Sequence, residues 1–226
     1  MKHLSILLFI ILLAFDSKSQ VTSFEIDSSK FNKPLVATLD SLYQNDQIIR
    51  YNFQKAIKNK EGKTVIDSLL NVMREKDQEN LTLVKEIISK YGWQGPQQVG
   101  MNASQGLFLV IQHADLATQE QYLPVIKTAE KEGRILSSNL AILEDRIRMR
   151  KGLKQVYGSQ AFSDRQTGKM YFYPIENPDQ LDIQRKSMGL IPMAEYARVM
   201  NMDWDLAAYK KMLPELELIA ARQNVR

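Results

Sequence analysis

One histidine carries most of the chemical promise of this chain. The sequence holds two, His3 and His113, and no cysteine in 226 residues. His3 falls in an apolar leader, so His113 is the imidazole left to a folded domain. It stands in Gln112-His113-Ala114-Asp115, at the polar end of an apolar segment. An imidazole in a cleft serves as a general base or a ligand contact. A buried one bonded to a carbonyl or an acid is structural, and both readings stand. Read as one helix, residues 103–117 set His113 and Asp115 about 200° apart. Any acid that orients His113 must then come from another segment. Gln112 and Asp115 fall along a different stripe, as candidate ligand contacts.

Glu144-Asp145-Arg146 supplies such an acid. Asp145 and Arg146 flank the apolar line of Ile142 and Met149, so both are half-buried and need partners. Asp145 is the candidate orienter of His113, or the partner of an arginine. Next comes Gln155-Val156-Tyr157-Gly158-Ser159-Gln160, a loop rich in neutral hydrogen-bonding groups. It suits a polar ligand such as a sugar or peptide, or the satisfaction of buried backbone. Tyr157, Ser159 and Gln160 are its ligand candidates. Ser159 has no adjacent histidine, so a nucleophilic role rests on tertiary placement. Glu176, in Pro174-Ile175-Glu176-Asn177-Pro178, and Arg185 complete the set. Arg185 lies one helical turn after Asp182, and the two read first as a surface ion pair.

The missing residues narrow the chemistry. Without cysteine there are no disulfides, thiolate zinc sites or cysteine nucleophiles. One histidine cannot build a histidine-rich zinc site. No HExxH, GxSxG, dinucleotide glycine fingerprint, P-loop or EF-hand loop occurs. The expectation is no metal and no cofactor. The net charge is only +4, with no aromatic-interleaved basic patch, so nucleic acid is not an expected partner.

These residues hang on a mainly α framework. Met1-Lys2-His3, the apolar run Leu4 to Phe15, and small Ser17 and Ser19 before Gln20 have the layout of a cleavable signal peptide. Twelve residues of helix, Ser5 the one polar residue among them, reach roughly 18 Å, short of the roughly 30 Å a membrane span needs. The expected product is periplasmic or secreted, with no membrane span, and is not a lipoprotein, since that anchor needs a cysteine. The expected domains are a signal peptide over 1–19, a flexible leader over 20–33 and a single mostly helical domain over 34–226. Apolar periodicity predicts helices over 34–58 and 64–91, joined as a hairpin. A helix over 103–117, apolar all round and therefore buried, follows a Gly-rich loop at 92–102. Further helices are expected over 119–132, 134–151, 179–187, 192–201 and 203–222. Between 155 and 174 the texture turns β-like, predicting a small β-hairpin or irregular β excursion.

The ordered pieces Gln112-His113-Ala114-Asp115, Leu143-Glu144-Asp145-Arg146, Tyr157-Gly158-Ser159-Gln160, Pro174 to Pro178 and Asp182 to Arg185 with Gly189-Leu190 resemble the bacterial domain-of-unknown-function family 6624, over roughly residues 35–200. The chain departs from that pattern at Asn177, where Asp is expected, and at Gln184, where a second Arg is expected. The resemblance implies that His113, Asp145, Tyr157 and Gln160 cluster into a polar site, and it implies no activity. The leading expectation is a binding or interaction domain whose polar pocket takes a small or envelope-derived ligand. The alternatives are a metal-independent hydrolase or lyase with His113 as general base, and a structural envelope protein without a site.

Overall fold

The computed structural model describes residues 20–224; the signal-peptide reading concerns residues 1–19 and lies outside them. Two long helices open the fold, α1 (Lys33–Lys58) and α2 (Lys63–Tyr91). Asn32 caps α1 by accepting from the Leu35 amide, and Lys55 and Lys58 sit at its negative end. The short α3 (Pro96–Val99) leads into α4 (Met101–His113). Leu107, Phe108, Val110 and Ile111 of α4 are all buried, as an apolar circumference requires. Gly106 lets α4 lie directly on α1: a β-carbon there would come within 3.2 Å of the Leu39 carbonyl and of Tyr43. That close approach carries the end of α4, and with it His113, onto the middle of α1.

Sequence reading ran α4 on to residue 117, and the structure breaks it at Ala114. Ala114 and Asp115 are extended, and the Asp115 carboxylate accepts from the Thr118 amide at 2.7 Å. Asp115 is therefore the N-cap of a new helix, α5 (Leu116–Lys131). α6 (Ser137–Arg150) packs beside it. These helices share one apolar core, from Leu35 and Leu39 through Ile111 and Ile126 to Leu143 and Ile147.

A second, smaller core follows. β1 (Ala161–Ser163) pairs antiparallel with β2 (Met170–Phe172), with Phe162 opposite Tyr171. The hairpin is the β excursion expected from the sequence. Gln155 contributes only an isolated bridge to Ile175. α7 (Leu181–Ser187), α8 (Met193–Val199) and α9 (Leu206–Asn224) pack around Phe172, Ile175 and Leu181. The fold is mainly α with one small hairpin. Among the described residues no helix is long and apolar enough to cross a membrane.

Candidate functional site

Two polar centres emerge, and most of the sequence candidates divide between them. The first is a buried knot joining α6 to the loop after it. Asp145 is fully buried. Its carboxylate accepts from the amides of Val156 (2.7 Å), Tyr157 (3.1 Å) and Ser159 (3.0 Å). Burial pushes its pKa up, against those three amides, which favour the charged form. The Gln155 amide nitrogen donates to the carbonyls of Gln160 and Tyr173, and its oxygen accepts from the Gln160 amide. Gln160 in turn donates to the Ile142 carbonyl and to Ser159 Oγ.

Arg185, 1% exposed, closes the knot by donating to the carbonyls of Tyr157 and Ile191, both at 2.7 Å. Its guanidinium lies 4.8 Å from the Tyr196 ring centre. Asp182 accepts from the Met193 amide at 2.7 Å. Gly158 at the centre has φ +66°, and a β-carbon there would press on Met193, Ile175 and Leu181 at 3.2–3.3 Å. The side chains of Gln155, Ser159 and Gln160 thus face backbone and each other.

The second centre is built on His113. The acid against it is Asp46 of α1, with His113 Nδ1 3.6 Å from Asp46 Oδ1. Asp46 is 3% exposed and is gripped by Arg50, whose Nε lies 3.0 Å away. Arg50 also donates to Asp77 of α2 at 2.5 Å. Burial alone would raise the Asp46 pKa, but the contacts to His113 and Arg50 outweigh it and bring it down to about 2. For His113 burial wins over Asp46, and its pKa falls below the ordinary histidine value. The imidazole is therefore neutral near pH 7, its Nδ1 side buried and backed by a carboxylate.

His113 also lines an open cleft of about 670 Å³, together with Asp115, Arg150, Phe162, Arg165 and Tyr173. That size is typical of a small-molecule site. Arg150 donates to the Ala114 carbonyl. Asp115 is held below the usual carboxylate range by its cap bonds from Thr118.

The remaining candidates lie elsewhere. Gln112 is buried, its carbonyl accepting from Gln119 at 2.6 Å. Tyr157 lines a separate hollow with Lys127, Glu130 and Glu144. Its hydroxyl is pushed up to about 12 by burial and by the charges of Glu144 and Asp145. Glu176 is exposed and pairs with Arg148 at 2.7 Å. Among the described residues no group of three or more His, Asp or Glu side chains could hold a metal. Asp46, Arg50, Asp77, Arg150 and Arg165 were not among the sequence candidates. Asp46 left a trace: it stands midway between Leu42 and Ile49 on the apolar line of α1, where an acid must have a partner.

Fold and site together describe a mainly α domain with a histidine, backed by a buried carboxylate, in the wall of an open cleft. The chain belongs to the family of unknown function DUF6624, whose model matches residues 34–209. Neither curated proteins nor solved structures yield a match to the chain.

Proposed function

We propose that this is a binding domain working outside the cytoplasm, released by a cut between Ser19 and Gln20, and that its ligand is a small polar molecule or envelope fragment held in the His113 cleft. The carrying observation is the His113 cleft itself. A neutral imidazole backed by Asp46 shares the wall of an open cleft of about 670 Å³ with Arg150 and Arg165. The Asp145 knot supports this cleft as a brace, with its polar groups turned to backbone. A second reading, metal-independent hydrolysis or lyase chemistry with His113 as general base, draws on the 3.6 Å Asp46 contact. That separation is slightly long, as such pairs are before a ligand tightens them.

The test expresses the full chain, recovers the exported species and reads its mass, with Gln20 the expected first residue. Thermal shifts then compare it with His113→Ala across a panel of envelope fragments. At least one compound should raise the wild-type melting temperature and lose that effect in H113A. Equal responses from a normally folded H113A would remove His113 from the site. Turnover of a responding compound by wild type, absent in both H113A and D46N, would select the catalytic reading.

A further inference from the structure

Among the described residues Arg146 is a charge with no ion-pair partner. It sits in the middle of α6, between fully buried Asp145 and buried Ile147. Its Nε is buried and has no hydrogen-bond partner. No ion pair reaches it among the described residues, whereas Arg50 holds two aspartates and Arg148 holds Glu176. Arg185, also buried, donates to carbonyls at 2.7 Å.

The charges around Arg146 are of the wrong sign. Burial, then the cations Arg150 and Arg50, pull its pKa down to about 10. A half-buried guanidinium facing other cations is a costly arrangement unless something anionic completes it.

Position says where that anion would sit. Arg146 and Arg150 are four residues apart on one helix, so their side chains share a face. Arg150 is in the cleft wall. Arg146 is not itself in the wall; it stands one helical turn before Arg150, close enough to His113 for its charge to act on the imidazole. Among the described residues the one carboxylate in the wall is Asp115, which caps α5 and whose charge already acts on Arg150, leaving none paired with Arg146. Behind the wall residue Arg150 there is thus a second guanidinium, Arg146, with no carboxylate paired to it among the described residues. Two planar forks on one helix face suit an oxyanion, which each can hold through paired N–H groups.

We infer that Arg146 and Arg150 form an oxyanion seat at the inner end of the cleft, and that the ligand carries a carboxylate or phosphate group there. This rests on the cleft being the binding site. His113, neutral, then meets the ligand beside the anion without adding a further cation.

The test uses the full chain and follows thermal unfolding with inorganic phosphate, succinate or acetate, against chloride at the same ionic strength and acetamide as a neutral control. Wild type should be stabilised by at least one oxyanion beyond chloride. A response to phosphate alone marks a phosphate ligand, and a response to the carboxylates alone marks a carboxylate. Arg146→Met should weaken that response by about thirtyfold or more, the loss typical of truncating one side of a buried charge pair. In oxyanion-free buffer the same variant should melt at or above the wild-type temperature, because an unpaired cation has been removed. Arg150→Met, altered at the cleft wall, gives the same reading should R146M fail to fold.

No oxyanion-specific stabilisation of wild type overturns the seat, as does an undiminished response in R146M or, where that variant does not fold, in R150M. A markedly less stable R146M that still folds and responds would make Arg146 a structural residue. If neutral panel compounds protect wild type but not H113A while oxyanions do nothing, the cleft stands and the seat falls.

Discussion

The His113–Asp46 contact governs how this protein responds to acid. Asp46 is unfolded-like at 3.8 and about 2 in the fold. A depressed carboxylate adds stability that is complete above 3.8 and lost as pH falls toward 2, here about 2 kcal/mol. His113 is a base whose pKa is lowered by burial. The unfolded chain therefore takes up its proton first, and stability begins to fall as pH drops below 6.5. Two limbs are expected in a plot of unfolding free energy against pH, one starting near 6.5 and one near 3.8. H113Q should lack the upper limb, and D46N should shrink the lower one, to which depressed carboxylates such as Asp115 also contribute. Arg50, Asp77 and Arg146 face the pair and remain in both variants. A wild-type profile flat from pH 7 to 5 would mean that His113 is not held neutral. His113 was legible as the residue to watch because it is the one histidine of the helical domain. Its partner was not, since Asp46 lies 67 positions earlier and periodicity reports only which face a residue occupies. The acid that sequence proximity to polar motifs suggested, Asp145, is engaged by backbone amides instead.

At the scale of elements, the loop after α6 depends on a single carboxylate. Asp145→Ala would leave the amides of Val156, Tyr157 and Ser159 without an acceptor, each buried donor costing about 1–3 kcal/mol. The expected loss is about 3 kcal/mol or more in chemical denaturation. Asn at this position should recover part of it, because one oxygen still accepts. A D145A loss below about 1 kcal/mol would mean that water replaces the carboxylate. The helices around this loop were readable from three- and four-residue spacing, and α1, α2 and the buried α4 follow from it. The break at Ala114 was not readable, because alanine favours helix and the interruption comes from Asp115 capping its own successor. The Gln155–Gln160 loop has strand-like residues, yet its side-chain amides bond to backbone in place of a neighbouring strand. Local pattern cannot anticipate that choice, which depends on α6 and α7 arriving beside it.

At the scale of the whole molecule, the cleft belongs to two cores at once. Ala114, Leu116, Met149 and Arg150 come from the helical core, while Ala161, Phe162 and Tyr173 come with the hairpin. Among the described residues the ties between the two parts include the Asp145 knot and the backbone bonds of Gln155 to Pro174 and Glu176; Arg148–Glu176 and Lys154–Glu217 are exposed ion pairs, each worth little. A ligand in the cleft binds the arrangement in which both walls are present. It therefore suppresses any opening that moves the hairpin away from α4 and α6. At a ligand concentration about 100 times its dissociation constant, that suppression amounts to about 2.7 kcal/mol. Hydrogen exchange should consequently slow by about 100-fold at amides around 161–175, wherever they exchange through such an opening. The far end of the α1–α2 hairpin, near residues 57–66, is mostly exposed and contributes nothing to the cleft wall, so it should exchange at an unchanged rate. Inorganic phosphate is the first ligand to try, followed by any compound that H113A fails to recognise. Equal slowing in the two regions would point to a single cooperative unit. Slowing confined to the helical part would place the ligand away from the hairpin wall and Tyr173.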